Sequence, residues 1–290
     1  MIASVSSYSF SELVSAGRLK QVEVPAKARE MGFECIEFST LTLEPGESRE
    51  DCARALRAEC DRVGLRVVNY AVSADFLNGS GGDWKAEAKR LESELKVALL
   101  LGSPSMRHDA TQGFANSHHG PRDFESALPA LAGGCRLVAE MAAGLGLRTM
   151  VENHGFFSQD SERMERLFCR VDHPAFGLLV DTGNFLCVDE APEKAVGLLA
   201  PYAVHVHVKD FHVKPGTAAD PGAGWFRSRA GNYLRGAILG HGDAPVAQCL
   251  RLLKDKGYDG PVSIEFEGME DPLVGISVGR ENLLRILATL

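Results

Sequence analysis

Residues 145–155 read LGLRTMVENHG. Gly146 suits the left-handed position just past a helix, Arg148 to Glu152 form a short β-prone run, and an Asn-His-Gly turn follows the closing carboxylate. A glycine that ends a helix, followed within a few residues by a strand, is the rhythm of αβ connections in parallel sheets. The same punctuation recurs at Gly32, Gly64 and Gly257. Working outward, eight strand candidates alternate with segments of helical period: Ile2 to Ser7, Phe33 to Phe38, Leu65 to Val72, Ser105 to His108, Arg148 to Glu152, Phe176 to Asp181, Ala203 to Val208 and Pro261 to Phe266. Dividing 290 residues by eight gives about 36 per unit, in keeping with a βα repeat of roughly 30 or more.

An open doubly wound sheet of eight strands would need a topological switch and usually a glycine-rich phosphate loop after its first strand. Here that strand leads into SSYSFSE, which has no glycine. The reading is therefore α/β, a closed (β/α)8 TIM barrel, one domain over residues 1–290. Between the seventh and eighth strands, Lys209 to Pro245 reads as a long loop, either a lid over the strand ends or an oligomer contact.

The composition, 45% hydrophobic and 24% charged, excludes a disordered or fibrous chain. Lys and Arg total 31 against 39 Asp and Glu, a net charge of -8, which argues against a nucleic-acid partner. Seven cysteines without a CxxC pair point to a reducing compartment, and no apolar window is long enough to span a bilayer. The expectation is a cytoplasmic protein with a small-molecule substrate and no membrane partner; a homo-oligomer is left open.

Barrels of this kind assemble their active sites from the C-terminal ends of strands. The fifth to eighth strands end in Glu152, Asp181, His207 and Glu265. A carboxylate placed after an apolar run is costly as an isolated charge, and a divalent cation offsets that cost for all of them. Three carboxylates and an imidazole, without a thiolate, suit one divalent metal ion with open positions: Mn preferred, with Mg, Co or Zn as alternatives.

On these segments the chain resembles the sugar phosphate isomerase/epimerase family of xylose isomerase-like TIM barrels, which includes ketose 3-epimerases, inosose dehydratase and, distantly, endonuclease IV. The resemblance rests on AREMGFECIEF (28–38), LGLRTMVENHG (145–155), LLVDTGNF (178–185), VHVHVKD (204–210) and GHGDAPVAQCLRLLKDKGYDGPVSIEFEG (240–268). It implies Glu152, Asp181, His207 and Glu265 as metal ligands. The ketose 3-epimerases carry a histidine where this chain has Asn184 and an arginine where it has Val213, and the further zinc ligands of endonuclease IV are missing.

Around the ligands, His154 and Asn184 are candidate substrate contacts. Glu37, Arg107 and His108 either meet polyol hydroxyls or are solvated or salt-bridged rim residues. Trp225 and Phe226 either cover a sugar ring or anchor their own loop. His205 shares the inward face of His207 one layer deeper, as a hydrogen-bonded barrel histidine or a substrate contact, and His241 is given no role. The implied activity is a metal-dependent isomerase or epimerase of a small sugar or keto-polyol, working through an enediolate with Glu152 and Glu265 as base and acid. A dehydratase of an inosose-like substrate is the alternative, and a non-catalytic sugar-binding barrel a remote one.

Overall fold

The computed structural model describes residues 1–290. Seven parallel strands come first: β1 (Ile2–Ser6), β2 (Cys35–Phe38), β3 (Arg66–Val72), β4 (Ser105–His108), β5 (Arg148–Glu152), β6 (Phe176–Asp181) and β7 (Ala203–Val208). Three further strands, β8 (Asp210–Lys214), β9 (Phe226–Arg227) and β10 (Tyr233–Ala237), leave the barrel, and β11 (Pro261–Ile264) returns to close it. The barrel order is β1-β11-β7-β6-β5-β4-β3-β2. No helix is long and apolar enough to cross a membrane.

Local chemistry accounts for the repeat. Ser48, Asp83, Asp123, Asp160 and Asp271 each accept a backbone N–H in the first turn of the helix that follows, supplying partners for donors the helix cannot satisfy itself. At the other ends, Gly32, Gly64, Gly146 and Gly257 all have positive φ, as their place between helix and strand requires. One continuous cluster of buried apolar side chains fills the space between strands and helices. Register then sets the mouth: Asp181 on β6 pairs with His207 on β7, so their side chains lie next to each other.

The segment expected to be a structureless loop is instead an antiparallel sheet of order β8-β10-β9, here called the flap. Its base is stapled by Asp210, whose carboxylate accepts from the backbone N–H groups of Phe211, Gly240, Gly242 and Ala244 at 2.9–3.0 Å. Asp189 holds the far end, accepting from Ser228 Oγ, the Ala230 N–H and Asn232 Nδ2. Gly236 pairs with Gly268, and a Cβ at Gly236 would lie 2.1 Å from the Glu267 carbonyl oxygen, so only glycine permits this approach. His241 is exposed on the turn that Asp210 organises.

Candidate active site at the mouth of the barrel

Glu152, Asp181, His207 and Glu265 converge at the C-terminal mouth, each offering one ligand atom, with these atoms all within 4.8 Å of one another. His207 Nδ1 is 3.7 Å from Glu152 Oε1, 3.9 Å from Asp181 Oδ2 and 3.7 Å from Glu265 Oε2. Both His207 Nδ1 and Asp181 Oδ2 are buried and lack any hydrogen-bond partner. Unsatisfied buried polar atoms are rare in folded proteins, and two aimed into one gap between carboxylates fit a cation there.

The surroundings orient these atoms. Glu37, fully buried, accepts from Asn69 Nδ2 at 2.8 Å and lies 2.8 Å from His207 Nε2. A proton on Nε2 shared with Glu37 leaves the Nδ1 lone pair free, the arrangement in which a histidine binds metal. Asp181 Oδ1 accepts from the Gly183 and Asn184 N–H groups, which turns Oδ2 toward the gap. Asn153 ties β5 to β6 by accepting from the Asp181 N–H and donating to the Asp181 carbonyl.

The charge balance is short of cations. Burial would raise the Glu265 carboxyl, but Lys209 and His207 outweigh it and hold it down at about 2. For Glu152, too, burial is overcome, by Arg107 and His207, which keep it well below the usual carboxylate range. Asp181 takes the shortfall: burial, with Glu152 and Glu265 nearby, pushes it up to about 7 against the pull of Lys209. A divalent cation in the gap would reverse that shift.

Several expected substrate contacts are corrected by the structure. Glu37 has no exposed surface and is spent on His207, His205 and Asn69, so it cannot meet a polyol. Trp225 lines neither cavity at the mouth; it is a half-buried ring between Lys214 and Arg235, with their cations 5.0 and 5.6 Å from its centroid. Of the two readings of His205, the hydrogen-bonded barrel histidine is the one found: it is buried 2.9 Å from Ser263 Oγ, and burial pushes it down to about 4. His108 faces away from the mouth, edge-on to Phe76. Arg107 is present at the site, pairing with Glu152 at 2.7 Å and Asp109 at 2.8 Å. His154 sits 3.0 Å from Asp109. The buried Asn184 donates to Glu152 Oε1 at 3.0 Å.

Three site residues escaped the sequence reading. Lys209 is buried with its ammonium 2.6 Å from Glu265, 3.1 Å from Glu267 and 3.6 Å from Asp181. Asp109 and Glu267 complete the set. Each lies two residues beyond an inward-facing strand-end residue, so the alternation that placed His154 beyond Glu152 also predicts Asp109, Lys209 and Glu267.

Two cavities open at the mouth. One, of about 220 Å³, is lined by Arg107, Asp109, Glu152, His207 and Glu265 among others; the second, of about 360 Å³, runs beneath the flap between Phe156, Asn184, Phe211 and Phe226. They share His154, Lys209 and Glu267.

A parallel eight-stranded barrel with helices between its strands is a TIM barrel, and the three carboxylates and imidazole gathered at its C-terminal mouth form a candidate metal-binding site. The chain belongs to the xylose isomerase-like TIM barrel family, which it matches over residues 25–285. It is similar to the L-ribulose-5-phosphate 3-epimerase UlaE of Escherichia coli, with 25% identity over 263 residues covering 88% of this chain and 85% of the relative. Among solved structures its fold is shared by the IOLI protein with a bound zinc atom, at a TM-score of 0.76 and 14% identity over 100% of this chain and 99% of that one. It is shared as well by a D-allulose 3-epimerase from Methylomonas sp., at a TM-score of 0.72 and 15% identity over 99% and 98%. Family and relatives place the chain among enzymes.

Proposed function

We propose that this chain is a divalent-metal-dependent isomerase or epimerase of a small sugar or keto-polyol, with Glu152, Asp181, His207 and Glu265 as metal ligands and Mn as the preferred ion. The observation that carries this reading is the pair of orphaned buried atoms, His207 Nδ1 and Asp181 Oδ2, facing one gap. A cation held there would supply charge stabilisation to the enediolate formed when the carbon next to a carbonyl loses its proton.

The chain's own residues do the rest. Glu37 holds the His207 ring in the ligating tautomer. Glu152 and Glu265 lie three places apart around the strand ring and are kept ionised by Arg107 and Lys209, so each is ready to accept a proton. For epimerisation one of the two must first take up a proton from solvent, so that the ionised one removes a proton from one face and the protonated one delivers its own to the other. His154 and Lys209, which line both cavities, are placed to hold substrate oxygens.

Elemental analysis of wild type and Asp181→Ala, combined with solvent-deuterium incorporation into a ketose panel, tests the proposal. Wild type should carry about one metal per chain and wash deuterium into the carbon beside the carbonyl, and the variant should do neither. Equal metal in both proteins would sink the metal assignment, and loss of water from substrate without isotope-labelled epimer would identify a dehydratase instead.

A further inference from the structure

We propose that the cavity under the flap binds an uncharged second sugar ring of the substrate, and that it is not a phosphate subsite. The proposal rests on the neighbouring cavity being the reacting centre, and it concerns what the rest of the substrate looks like.

Two phenylalanines carry it. Phe156 and Phe226 both line this cavity and are 44% and 38% exposed, so two apolar side chains of one cavity are open to whatever enters it. Neither is exposed by slack. Phe156 has φ of +66°, a region that side-chain-bearing residues rarely occupy, and it is pinned there by its N–H donating to Gln159 Oε1 and by Arg229 donating to its carbonyl. Phe226 is braced by the fully buried Phe211, ring centroids 5.6 Å apart at 78°. Two exposed aromatic rings, one in a conformation held by several contacts, form a ready surface for the C–H face of a sugar ring, with the Gln112 amide at the cavity wall for its hydroxyls.

The charges point the same way. The permanent cation on this cavity's wall is Lys209, already shared among Glu265, Glu267 and Asp181. Arg107 belongs to the other cavity and is committed to Asp109 and Glu152. A phosphate dianion placed between Phe156 and Phe226 would meet the Glu267 carboxylate and no free guanidinium, whereas phosphate recognition calls for converging cationic or N–H donors. UlaE, to which the chain is 25% identical, is named for a phosphorylated ketose; on this reading the present chain takes a longer, unphosphorylated substrate.

Calorimetric titration of the Mg-loaded full-length protein with methyl β-glucoside, methyl β-cellobioside and glucose 6-phosphate tests this. The disaccharide should bind about tenfold tighter than the monosaccharide, the gain expected from covering an aromatic ring. Phe226→Ala should collapse that ratio toward one, and Phe226→Arg should create a preference for glucose 6-phosphate that wild type lacks. A wild type that prefers the phosphate, that binds both glucosides equally, or that binds neither overturns the proposal. The reading of the reacting centre is judged separately: if no ketose takes up solvent deuterium while the disaccharide preference persists, that reading fails, and the cavity under the flap remains a sugar-ring site without its tie to a substrate.

Discussion

The two cavities at the mouth are built on opposite plans. The smaller one is floored by charged, buried side chains from the ends of β4, β5, β7 and β11 that are locked to one another, with Tyr8, Ser39, Thr40 and Ser73 from beyond β1, β2 and β3 at its rim. The larger one draws on the turns after β5 and β6 and on the flap, and its defining side chains are aromatic and partly exposed. A barrel strand fixes its end residue to within the tolerance that proton transfer needs, whereas a loop can change its aromatic residues without disturbing strand pairing. On the proposed reading, reaction belongs to the first cavity and preference to the second.

The strongest way to break this division is at Glu152 and Glu265. Converting either to Gln preserves shape and a ligating oxygen but removes proton exchange at neutral pH, so each should cost at least about 100-fold in turnover. Metal content should fall only partly. Steady-state rates with elemental analysis check this, and near-normal turnover in both variants would move the proton shuttle elsewhere, with His154 the next residue to test.

A smaller effect is expected one layer deeper. Glu37→Gln keeps a partner for His207 Nε2 but loses the charge, and should weaken metal affinity by about 10- to 100-fold. Competition with a chelator measures it. An unchanged affinity would mean that the ring is oriented by packing alone.

The smallest effect on turnover lies outside both cavities, at His108. This imidazole is fully buried, and burial pushes it down to about 4, while the unfolded chain titrates near 6.5. Between those values the unfolded state binds the extra proton, so the contribution of His108 is intact above about pH 6.5 and is lost as the pH drops toward 4, on the order of 3 kcal/mol in full, with buried His205 titrating in the same window. His108→Gln should flatten that part of the stability curve in thermal melts from pH 7.5 to 4.5. Parallel curves for the two proteins would show that His108 is not the source.

What was legible in the sequence follows the same division. The barrel and its strand ends could be read because a strand shows alternate residues to one face and a glycine with positive φ marks most handovers from helix. Asp181 and His207 appeared in adjacent strands at matching heights for that reason. Glu37 was found but given the wrong task, because alternation gives a residue's face and not its depth; Asn69 and His207, which claim its carboxylate, come from other strands. Lys209 was legible by the same alternation as His205 and His207. The flap was not: β8 follows β7 with only Lys209 between them, and β9 is two residues long. Trp225 and Phe226 could not be told apart, since nothing local says which of two adjacent aromatics a flap turns inward.

The Asp210 staple has a consequence for how such a protein changes over time. By gathering four backbone N–H groups from both ends of the excursion, one carboxylate makes the chain's departure from the barrel and its return a closed circuit. Lengthening a loop whose ends are already joined costs little, about 0.6 kcal/mol for each doubling. The segment between Phe211 and Gly240 is then an exchangeable cassette: it can be lengthened, shortened or redecorated while the proposed metal ligands on β5, β6, β7 and at the end of β11 stay in register, so a lineage can try new substrates without relearning the chemistry.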